Sequence, residues 1–267
     1  MILMTSQTFT LITGGSAGIG KAFAIECARR GHNLLLVALP GPELEETADY
    51  IRSSYPVKVH SLGIDLTHSQ SPLNTYNWCI ENGYKVNILI NNAGVGGTSE
   101  FESSNEEYID QTIQLNIRAL VLLSRYFIPL LKENEESFIL NVSSLSAFFT
   151  IPYKSVYAAS KSFVLAFSDA LQIELDNTTV KVCVVCPAGV DTTPETNERI
   201  KAHGFFGKIT QINSERLAWF TLNKMFKGKT VIIPNRFNMF IWFLSKIVPE
   251  RIKRLIVHRE FRKEFCF

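Results

Sequence analysis

Apolar and polar positions follow one another along this chain in blocks of strand length and of helix length. Most of the strand-length apolar blocks are continuous, which is typical of parallel strands that are covered on both faces. They span residues 9–12, 34–39, 57–64, 86–90, 137–142, 180–185 and 230–233. Helix-length segments lie between them, among them 19–30, 43–54, 106–132 and 153–175. This alternation predicts an α/β fold with a doubly wound parallel sheet of about seven strands, flanked by helices.

The same pattern indicates how the chain is organised. It shows no linker and no internal repeat before residue 234, so we predict a single domain over residues 1–234. Residues 187–212 interrupt the alternation with prolines and glycines and carry little helix or strand signal. Loops of that length are usually functional, and we interpret this one as a substrate loop. Residues 235–267 are expected to form an amphipathic helical extension that is not an independent domain.

Composition narrows the class of protein. Apolar residues make up 46% of the 267 positions and charged residues 19%, which excludes a disordered chain. The net charge of +2 is too small for the positive field that nonspecific nucleic-acid binding needs, so no nucleic-acid partner is expected. The five cysteines are an odd number, and residues 1–6 are too short and uncharged for a signal peptide. Both observations favour a cytoplasmic location.

A glycine-rich turn follows the first predicted strand. Gly14, Gly18 and Gly20 lie in it, and a helix-forming stretch, residues 21–26, comes directly after. Glycine lets a ligand approach the backbone closely, and the N–H groups at the start of a helix favour an anion. The turn is therefore a candidate site for a dinucleotide pyrophosphate. An ordinary strand-to-helix turn is the alternative interpretation.

Further motifs follow in register with the predicted strands. Residues 13–20 read TGGSAGIG, 65–66 read DL, 91–94 read NNAG, 143–144 read SS and 157–161 read YAASK. With Asn116, these motifs resemble the short-chain dehydrogenase/reductase family over residues 8–233. The resemblance implies a Rossmann-type single domain and an NAD(P)(H) cofactor. The cofactor-binding residues that it implies are Gly14, Ser16, Ala17, Gly18, Ile19, Gly20, Asp65, Leu66, Asn92, Ala93, Gly94, Tyr157, Lys161, Pro187, Val190 and Thr192.

Tyr157 and Lys161 lie four residues apart, so a helix places a phenol and an ammonium on one face. The neighbouring positive charge favours the phenolate and makes Tyr157 a candidate proton shuttle. For the pair alone, a half-buried tyrosine beside a solvated lysine is the alternative interpretation. The catalytic roles that the resemblance implies are substrate-carbonyl binding for Ser144, proton transfer for Tyr157, nicotinamide-ribose binding for Lys161 and support of a proton relay for Asn116. Ser144 is preferred to Ser143 because it lies 13 residues before Tyr157, a common spacing in the family.

The end of the second predicted strand leaves the cofactor preference open. NAD enzymes often carry an acidic residue at this place and NADP enzymes of the family a basic one, but this chain has Leu39 and Pro40. The resemblance therefore implies NAD(P)(H), with a slight lean to NADP(H). After the sixth strand, Ala188 stands where the family usually has glycine.

One cysteine pair could indicate different chemistry. Cys183 and Cys186 have the CxxC spacing of metal sites and redox pairs. They fall in a predicted strand, however, and residues three apart in a strand point to opposite faces. We therefore interpret both as core cysteines and expect no metal site.

The C-terminal extension is both basic and apolar. Residues 235–267 hold eight Lys or Arg and three Glu, and their apolar positions follow helical spacing. Three interpretations stay open: a peripheral membrane contact, a cover over the active site, and a dimer contact. The extension also resembles the tail of family members that act on lipid, acyl or steroid carbonyls, which implies an apolar substrate. Homodimers and homotetramers are usual in the family and are expected here.

Together these patterns predict an NAD(P)(H)-dependent oxidoreductase that interconverts a hydroxyl and a carbonyl on a small apolar molecule, acyl, lipid or steroid-like. Two alternatives stay open. A nucleotide sensor or scaffold would bind the dinucleotide without turning it over, but it would not need the pair of Tyr157 and Lys161. An epimerase or dehydratase would keep the fold and change the chemistry.

Overall fold

A central sheet of seven parallel strands organises the computed structural model, which describes residues 8–192, 198 and 209–261. The strands of the described residues are β1 (Thr8–Thr13), β2 (Asn33–Ala38), β3 (Val59–Gly63), β4 (Lys85–Asn91), β5 (Ser137–Val142), β6 (Val180–Val185), β7 (Val190–Asp191), β8 (Ile212–Asn213) and β9 (Val231–Ile232). Their order in the main sheet is β3-β2-β1-β4-β5-β6-β9, and β7 pairs with β8 separately. The doubly wound α/β fold predicted from the apolar blocks is confirmed.

Helices cover both faces of this sheet. They are α1 (Gly18–Arg29), α2 (Pro42–Ser54), α3 (Ser71–Glu81), α4 (Glu106–Ile113), α5 (Leu120–Lys132), α6 (Ser155–Glu174), α7 (Ser214–Met225), α8 (Arg236–Ile247) and α9 (Glu250–Phe261). A π-helical turn, Gln114–Ala119, joins α4 to α5, and a 3-10 helix, Leu145–Phe148, follows β5. The predicted helix over 106–132 is therefore continuous but contains a change of helix type.

The core contains one large apolar cluster on each face of the sheet and a smaller third cluster around Val164 and Val184. Successive strand residues point to opposite faces, so Ile12 joins the cluster beneath α1 and Leu11 joins the one beneath α5. Phe23 of α1 and Phe127 of α5 are fully buried in these two clusters. Because both faces are covered, the strands carry continuous apolar runs, as the sequence pattern indicates.

The strand order reverses at β1, which lies between β2 and β4. In doubly wound sheets, ligands bind in the crevice at the carboxyl ends of the strands beside such a switch point. All strands of this sheet run parallel, so the segments that follow β1, β4, β5 and β6 leave the sheet at the same edge. Those are the segments that carry the sequence motifs.

Within the described residues, one helical stretch, Glu106–Lys132, is long and apolar enough to cross a membrane by length and composition. Leu123, Phe127 and Leu131 of this stretch are buried against the sheet. A helix that packs on the core of a folded domain meets the same criteria, so the stretch gives weak support for a membrane span.

Two predicted segments lie near the end of the chain. Of the predicted substrate loop 187–212, residues 193–197 and 199–208 lie outside the described residues, and the described ends contain β7 and β8. The C-terminal extension contains α8 and α9. Its status as a non-independent part of a single domain stays a prediction.

Candidate active site

The glycine-rich turn lies between the end of β1 and the start of α1. Gly14 and Gly18 have φ angles of +65° and +53°, in the left-handed region that side chains rarely adopt. A Cβ at Gly20 would collide with the carbonyl oxygen of Gly14, so α1 packs directly on the turn. Ala17, at the N-cap position of α1, is exposed, and no side chain among the described residues caps this helix. The first N–H groups of α1, which include those of the half-buried Ile19, are therefore available to an anion.

The loop after β4 is hydrogen-bonded to this turn through Thr13. The backbone N–H groups of Asn92 and Ala93 both donate to Thr13 Oγ1, at 3.0 Å each. Asn92 Nδ2 donates to the carbonyl oxygen of Thr13 at 2.9 Å. The structure thus brings two motifs together that are about eighty positions apart in sequence, and it gives Thr13 a role that the sequence did not predict.

Asn116 lies in the π-helical turn between α4 and α5, a feature that often marks functional sites. Its Oδ1 accepts from Val95 N at 2.8 Å, and its Nδ2 donates to Val95 O at 2.9 Å and to Ser160 Oγ at 3.1 Å. A Cβ at Gly94 would lie 2.9 Å from Asn116 Oδ1. Asn116 therefore connects the loop after β4 to helix α6.

Tyr157 and Lys161 lie one turn apart at the start of α6, with Lys161 Nζ 5.8 Å from the centre of the Tyr157 ring. Lys161 is only 6% exposed, and its Nζ donates to the carbonyl oxygen of Val142 at 3.0 Å. Burial lowers the pKa of Lys161 from 10.5 to about 8. The alternative interpretation of Lys161 as a solvated lysine is therefore wrong. A Cβ at Gly96 would lie 2.9 Å from the Tyr157 ring, so the loop after β4 packs against one edge of that ring.

The two serines after β5 have different surroundings. Ser144 is half-buried and its Oγ accepts from Ser146 N at 3.1 Å, which caps the 3-10 helix. A hydroxyl that accepts one hydrogen bond keeps its own O–H for another acceptor, such as a substrate oxygen. Ser143 is 2% exposed and donates to the carbonyl oxygen of Lys161 at 2.7 Å. It therefore positions Lys161 from the end of β5.

Asp65 and Leu66 follow β3 on the other side of the turn. Thr67 donates to Asp65 Oδ1 through its backbone N–H at 2.9 Å and through its hydroxyl at 2.8 Å. Partial burial raises the pKa of Asp65, but the two bonds from Thr67 and the nearby His68 outweigh it and hold the pKa below its ordinary value. Leu66 is 4% exposed and lines a small hollow together with Ala93.

The segment after β6 contributes three further residues to this edge of the sheet. Pro187 is buried, and its carbonyl oxygen accepts from Leu145 N at 2.7 Å, which ties this segment to the 3-10 helix. Val190 is 5% exposed. The side chain of Thr192 is half-buried and would lie 3.4 Å from a Cβ at Gly18. The structure thus brings these three residues to the edge that holds the glycine turn.

Among the described residues, the arrangement fits a dinucleotide. The glycines let the turn fold closely against α1 and the loop after β4, with the start of α1 facing a pyrophosphate, and Ser16, half-buried beside it, is held through its carbonyl oxygen by Thr47 Oγ1 at 2.8 Å. At the far end of the same edge, Tyr157 borders a small cleft lined also by Ser99, Tyr108 and Tyr153. This cleft beside the phenol is polar and has room for about one water molecule.

A family model described as short chain dehydrogenase matches residues 8–203 of the chain. This match covers more than half of the sequence, so the chain belongs to the short chain dehydrogenase family. The resemblance predicted from the sequence motifs is confirmed.

Individual relatives agree with this assignment. The chain is 34% identical over 195 residues to 17-beta-hydroxysteroid dehydrogenase type 3 of Homo sapiens. The aligned region covers 71% of this chain and 61% of that protein. It is 31% identical over 172 residues to very-long-chain 3-oxoacyl-CoA reductase-A of Danio rerio, 62% of this chain and 53% of that protein. The match with this reductase thus spans only about half of its length.

One solved structure is similar in both sequence and fold. It is a short-chain dehydrogenase from Sphingobium yanoikuyae in complex with NADPH, 32% identical, with a TM-score of 0.75. The similarity covers 85% of this chain and 87% of that one. The family match therefore extends to the three-dimensional arrangement of the sheet and its helices.

Proposed function

We propose that this chain is an NAD(P)(H)-dependent oxidoreductase that interconverts a hydroxyl and a carbonyl on a small apolar molecule. The observation that carries the proposal is the phenol of Tyr157 beside the buried ammonium of Lys161, on the edge of the sheet that holds the glycine-rich turn. Membership of the short chain dehydrogenase family supports it. The names of the relatives, a hydroxysteroid dehydrogenase and a long-chain oxoacyl reductase, support an apolar substrate of lipid or steroid type.

In this proposal the glycine turn and the start of α1 bind the pyrophosphate, and Asp65 and Leu66 adjoin the adenine. Asn92, Ala93 and Gly94 border the nicotinamide half of the site, opposite Pro187, Val190 and Thr192. Bound NAD(P)(H) supplies or accepts the hydride. The solved relative in complex with NADPH supports this cofactor class, and Leu39 and Pro40, which directly follow β2, supply neither an acid nor a base to choose between NAD and NADP.

The catalytic residues act on the substrate oxygen. Ser144 donates a hydrogen bond to it, and Tyr157 gives it a proton in reduction or removes one in oxidation. The charge on Lys161 stabilises the phenolate that results, and burial strengthens that interaction because water is excluded. Asn116 holds the neighbouring loop and adjoins Ser160, next to Lys161, where it supports the path by which the proton is replaced.

The proposal extends to the setting of the enzyme. We propose a cytoplasmic chain that assembles as a homodimer or homotetramer and contacts a membrane through its C-terminal helices. Buried free cysteines support the reducing compartment, because Cys27, Cys79, Cys183 and Cys186 are buried and unpaired in the part of the chain that the structure describes. Cys183 and Cys186 belong to different apolar clusters, as the strand alternation predicts.

The variant Tyr157→Phe tests the reaction. It removes one hydroxyl, so it should fold and bind NADPH as the native chain does, while turnover falls by about 10²–10⁴ because general acid–base catalysis is lost. Tyr84→Phe is the matched control, since Tyr84 is half-buried and packs on Phe9 at the opposite edge of the sheet. The assay follows NADPH absorbance with a panel of steroid ketones, long-chain 3-oxoacyl thioesters and sugars.

Two outcomes would contradict the proposal. Turnover in Tyr157→Phe equal to that of Tyr84→Phe would remove the tyrosine from the reaction. NADPH binding without turnover of any compound in the panel would favour the sensor or scaffold instead.

A further inference from the structure

Helices α8 and α9 expose an unusual amount of apolar surface. Half of the large apolar side chains that are exposed among the described residues lie on these two helices. They are Met239, Phe240, Phe243, Leu244, Ile247, Ile252, Leu255 and Ile256. Phe243 is 54% exposed, Ile247 62% and Leu255 72%. Contiguous apolar surface of this kind marks a site of interaction with a protein or a membrane.

The same two helices are basic. Residues 236–261, which span α8 and α9, carry six Lys or Arg against two Glu. Glu250 pairs with Lys253 at 2.6 Å and with Arg254 at 3.6 Å, whereas Arg251 is exposed and has no ion pair among the described residues. Lys246 Nζ lies 4.2 Å from the centre of the Trp242 ring. Exposed aromatic and aliphatic side chains interleaved with Lys and Arg are characteristic of helices that lie in the interface of an anionic bilayer.

Hydrogen bonds attach the helix pair to the rest of the molecule. Asn238 is fully buried, and its Nδ2 donates to the carbonyl oxygens of Thr210 at 3.0 Å and Pro234 at 3.2 Å. Lys253 Nζ donates to the carbonyl oxygen of Ser245 at 3.1 Å, which joins α9 to α8. The exposed apolar side chains are therefore presented by helices that are hydrogen-bonded to the folded domain.

This element lies next to the proposed active site. Trp242 of α8 packs on Phe148 with the ring centres 6.3 Å apart, and Phe148 ends the 3-10 helix that Ser144 caps. Ser162, one residue after Lys161, donates to the carbonyl oxygen of Ala147 in the same 3-10 helix at 2.9 Å. One layer of side chains thus separates α8 from the segment that carries Ser144.

We propose that α8 and α9 dock on the surface of an anionic lipid bilayer, from which apolar carbonyl compounds dissolved in that bilayer enter the active site. The second part rests on the proposed reaction. The docking makes the proposed membrane contact of the C-terminal helices specific to an anionic bilayer and does not depend on that reaction. The positive charge of the two helices favours an anionic bilayer over a second copy of this chain as the occupant of this surface. A face-to-face contact between two copies would bring like basic charges together, but an anionic surface attracts them.

The docking is tested by co-sedimentation of the full chain with vesicles of phosphatidylglycerol and phosphatidylcholine, and with vesicles of phosphatidylcholine alone. The chain should pellet with the anionic vesicles and be released at 0.5 M salt, which screens the attraction. The double variant Phe243→Asp/Leu255→Asp should lose at least nine tenths of the binding. Ile173→Asp is the matched control, because Ile173 is 77% exposed on α6 and carries the same change outside the surface.

A chain that fails to pellet with anionic vesicles, or a double variant that pellets as Ile173→Asp does, would overturn the docking. If sedimentation velocity instead shows that the double variant dissociates an oligomer, the surface binds a second copy and the bilayer is wrong. Circular dichroism of each variant checks that both are folded.

The route of the substrate has its own readout. With a long-chain ketone dissolved in anionic vesicles, the double variant should show a KM raised at least tenfold. With a short water-soluble ketone, its kcat and KM should match those of Ile173→Asp. Equal KM values for the vesicle-dissolved ketone would overturn the route. Absence of turnover in every variant, with vesicle binding intact, would overturn the proposed function and leave the docking standing.

Discussion

At the scale of single residues, Lys161 has surroundings that a lysine rarely occupies. Its ammonium is buried and has one described hydrogen-bond acceptor, the carbonyl oxygen of Val142. The helical spacing predicts that Lys161 lies beside Tyr157. It does not predict the burial, because the atoms that cover Lys161 come from the end of β5 and from the loop around Gly94, which are distant in sequence.

The buried lysine should be visible in the pH dependence of stability. The folded chain holds this pKa at about 8, against 10.5 for the ordinary side chain. Between these two pH values Lys161 is protonated in the unfolded chain and neutral in the folded chain, so its contribution to the free energy of unfolding rises with pH. That contribution is lost as the pH falls through about 8. Relative to Lys161→Met, the native free energy of unfolding should therefore rise by about 3 kcal/mol between pH 8 and pH 10.5.

Urea unfolding at a series of pH values measures this difference. Burial raises the pKa of Cys27, Cys79 and Cys183 to about 12, so these thiols lower the free energy of unfolding as the pH rises above 9. Because this effect is present in both chains, the comparison between the native chain and the variant removes it. The control is Lys58→Met, which makes the same change at an exposed lysine. A flat difference for Lys161→Met would mean that the lysine is not desolvated.

Ser143 shows the same limit of sequence reasoning. The spacing to Tyr157 selects Ser144 as the serine that faces the substrate, and the structure leaves Ser144 half-buried at the start of the 3-10 helix. The bond from Ser143 to the carbonyl oxygen of Lys161 joins β5 to α6. A contact of this kind depends on how two elements pack, so the local pattern around a single serine does not contain it.

At the scale of elements, the strands were the most predictable part of the fold. Each of the seven apolar blocks corresponds to a strand of the main sheet, because a strand buried on both faces needs a continuous apolar run. Helices α3 and α7 were harder to predict. They are covered on one side only and carry polar residues elsewhere, and α3 begins with Ser71 and Pro72, which also begin turns.

The glycine turn gives a prediction at this scale. A Cβ at Gly14 would lie 2.9 Å from Asn92 Nδ2 and 3.1 Å from the Cα atom of Ala93, so Gly14→Ala should push apart the loops after β1 and β4. Its dissociation constants for NADPH and NADH, measured by fluorescence titration, should rise at least tenfold.

Gly31→Ala is the control for backbone strain. Gly31 has φ +83° and no described atom within 4 Å of a Cβ built there. Both substitutions therefore cost about 1–2 kcal/mol for the left-handed conformation, and only Gly14→Ala also disturbs the site. Unchanged affinity for both dinucleotides in Gly14→Ala would show that the turn does not bind them.

At the scale of the whole molecule, the parallel sheet explains why the candidate site could be assembled from sequence motifs. Parallel strands deliver every βα loop to one edge, so motifs after β1, β3, β4, β5 and β6 must meet there. No comparable rule predicts where the C-terminal helices attach to the domain. Asn238 ties α8 to Thr210, and no spacing in the chain indicates that pairing.

Asn238→Ala should reveal how much this attachment contributes. The substitution removes two buried hydrogen bonds and leaves the carbonyl oxygens of Thr210 and Pro234 without those donors. We expect a loss of about 1–3 kcal/mol in the free energy of unfolding, measured with urea. Asn82→Ala is the control, since its bond to the carbonyl oxygen of Trp78 is exposed. Equal stability of the two variants would show that α8 is only loosely attached.

Trp242 makes the contact between α8 and the 3-10 helix accessible to fluorescence measurement. The chain has three tryptophans, and Trp242 is the one that lies between Phe148 and Lys246 where α8 packs on the 3-10 helix. Indole emission is quenched or shifted by a nearby cation and by changes in polarity. With Trp78 and Trp219 replaced by phenylalanine, the molecule would hold a single tryptophan. Its emission wavelength and intensity would report, in real time, whether α8 and α9 are packed on the rest of the domain.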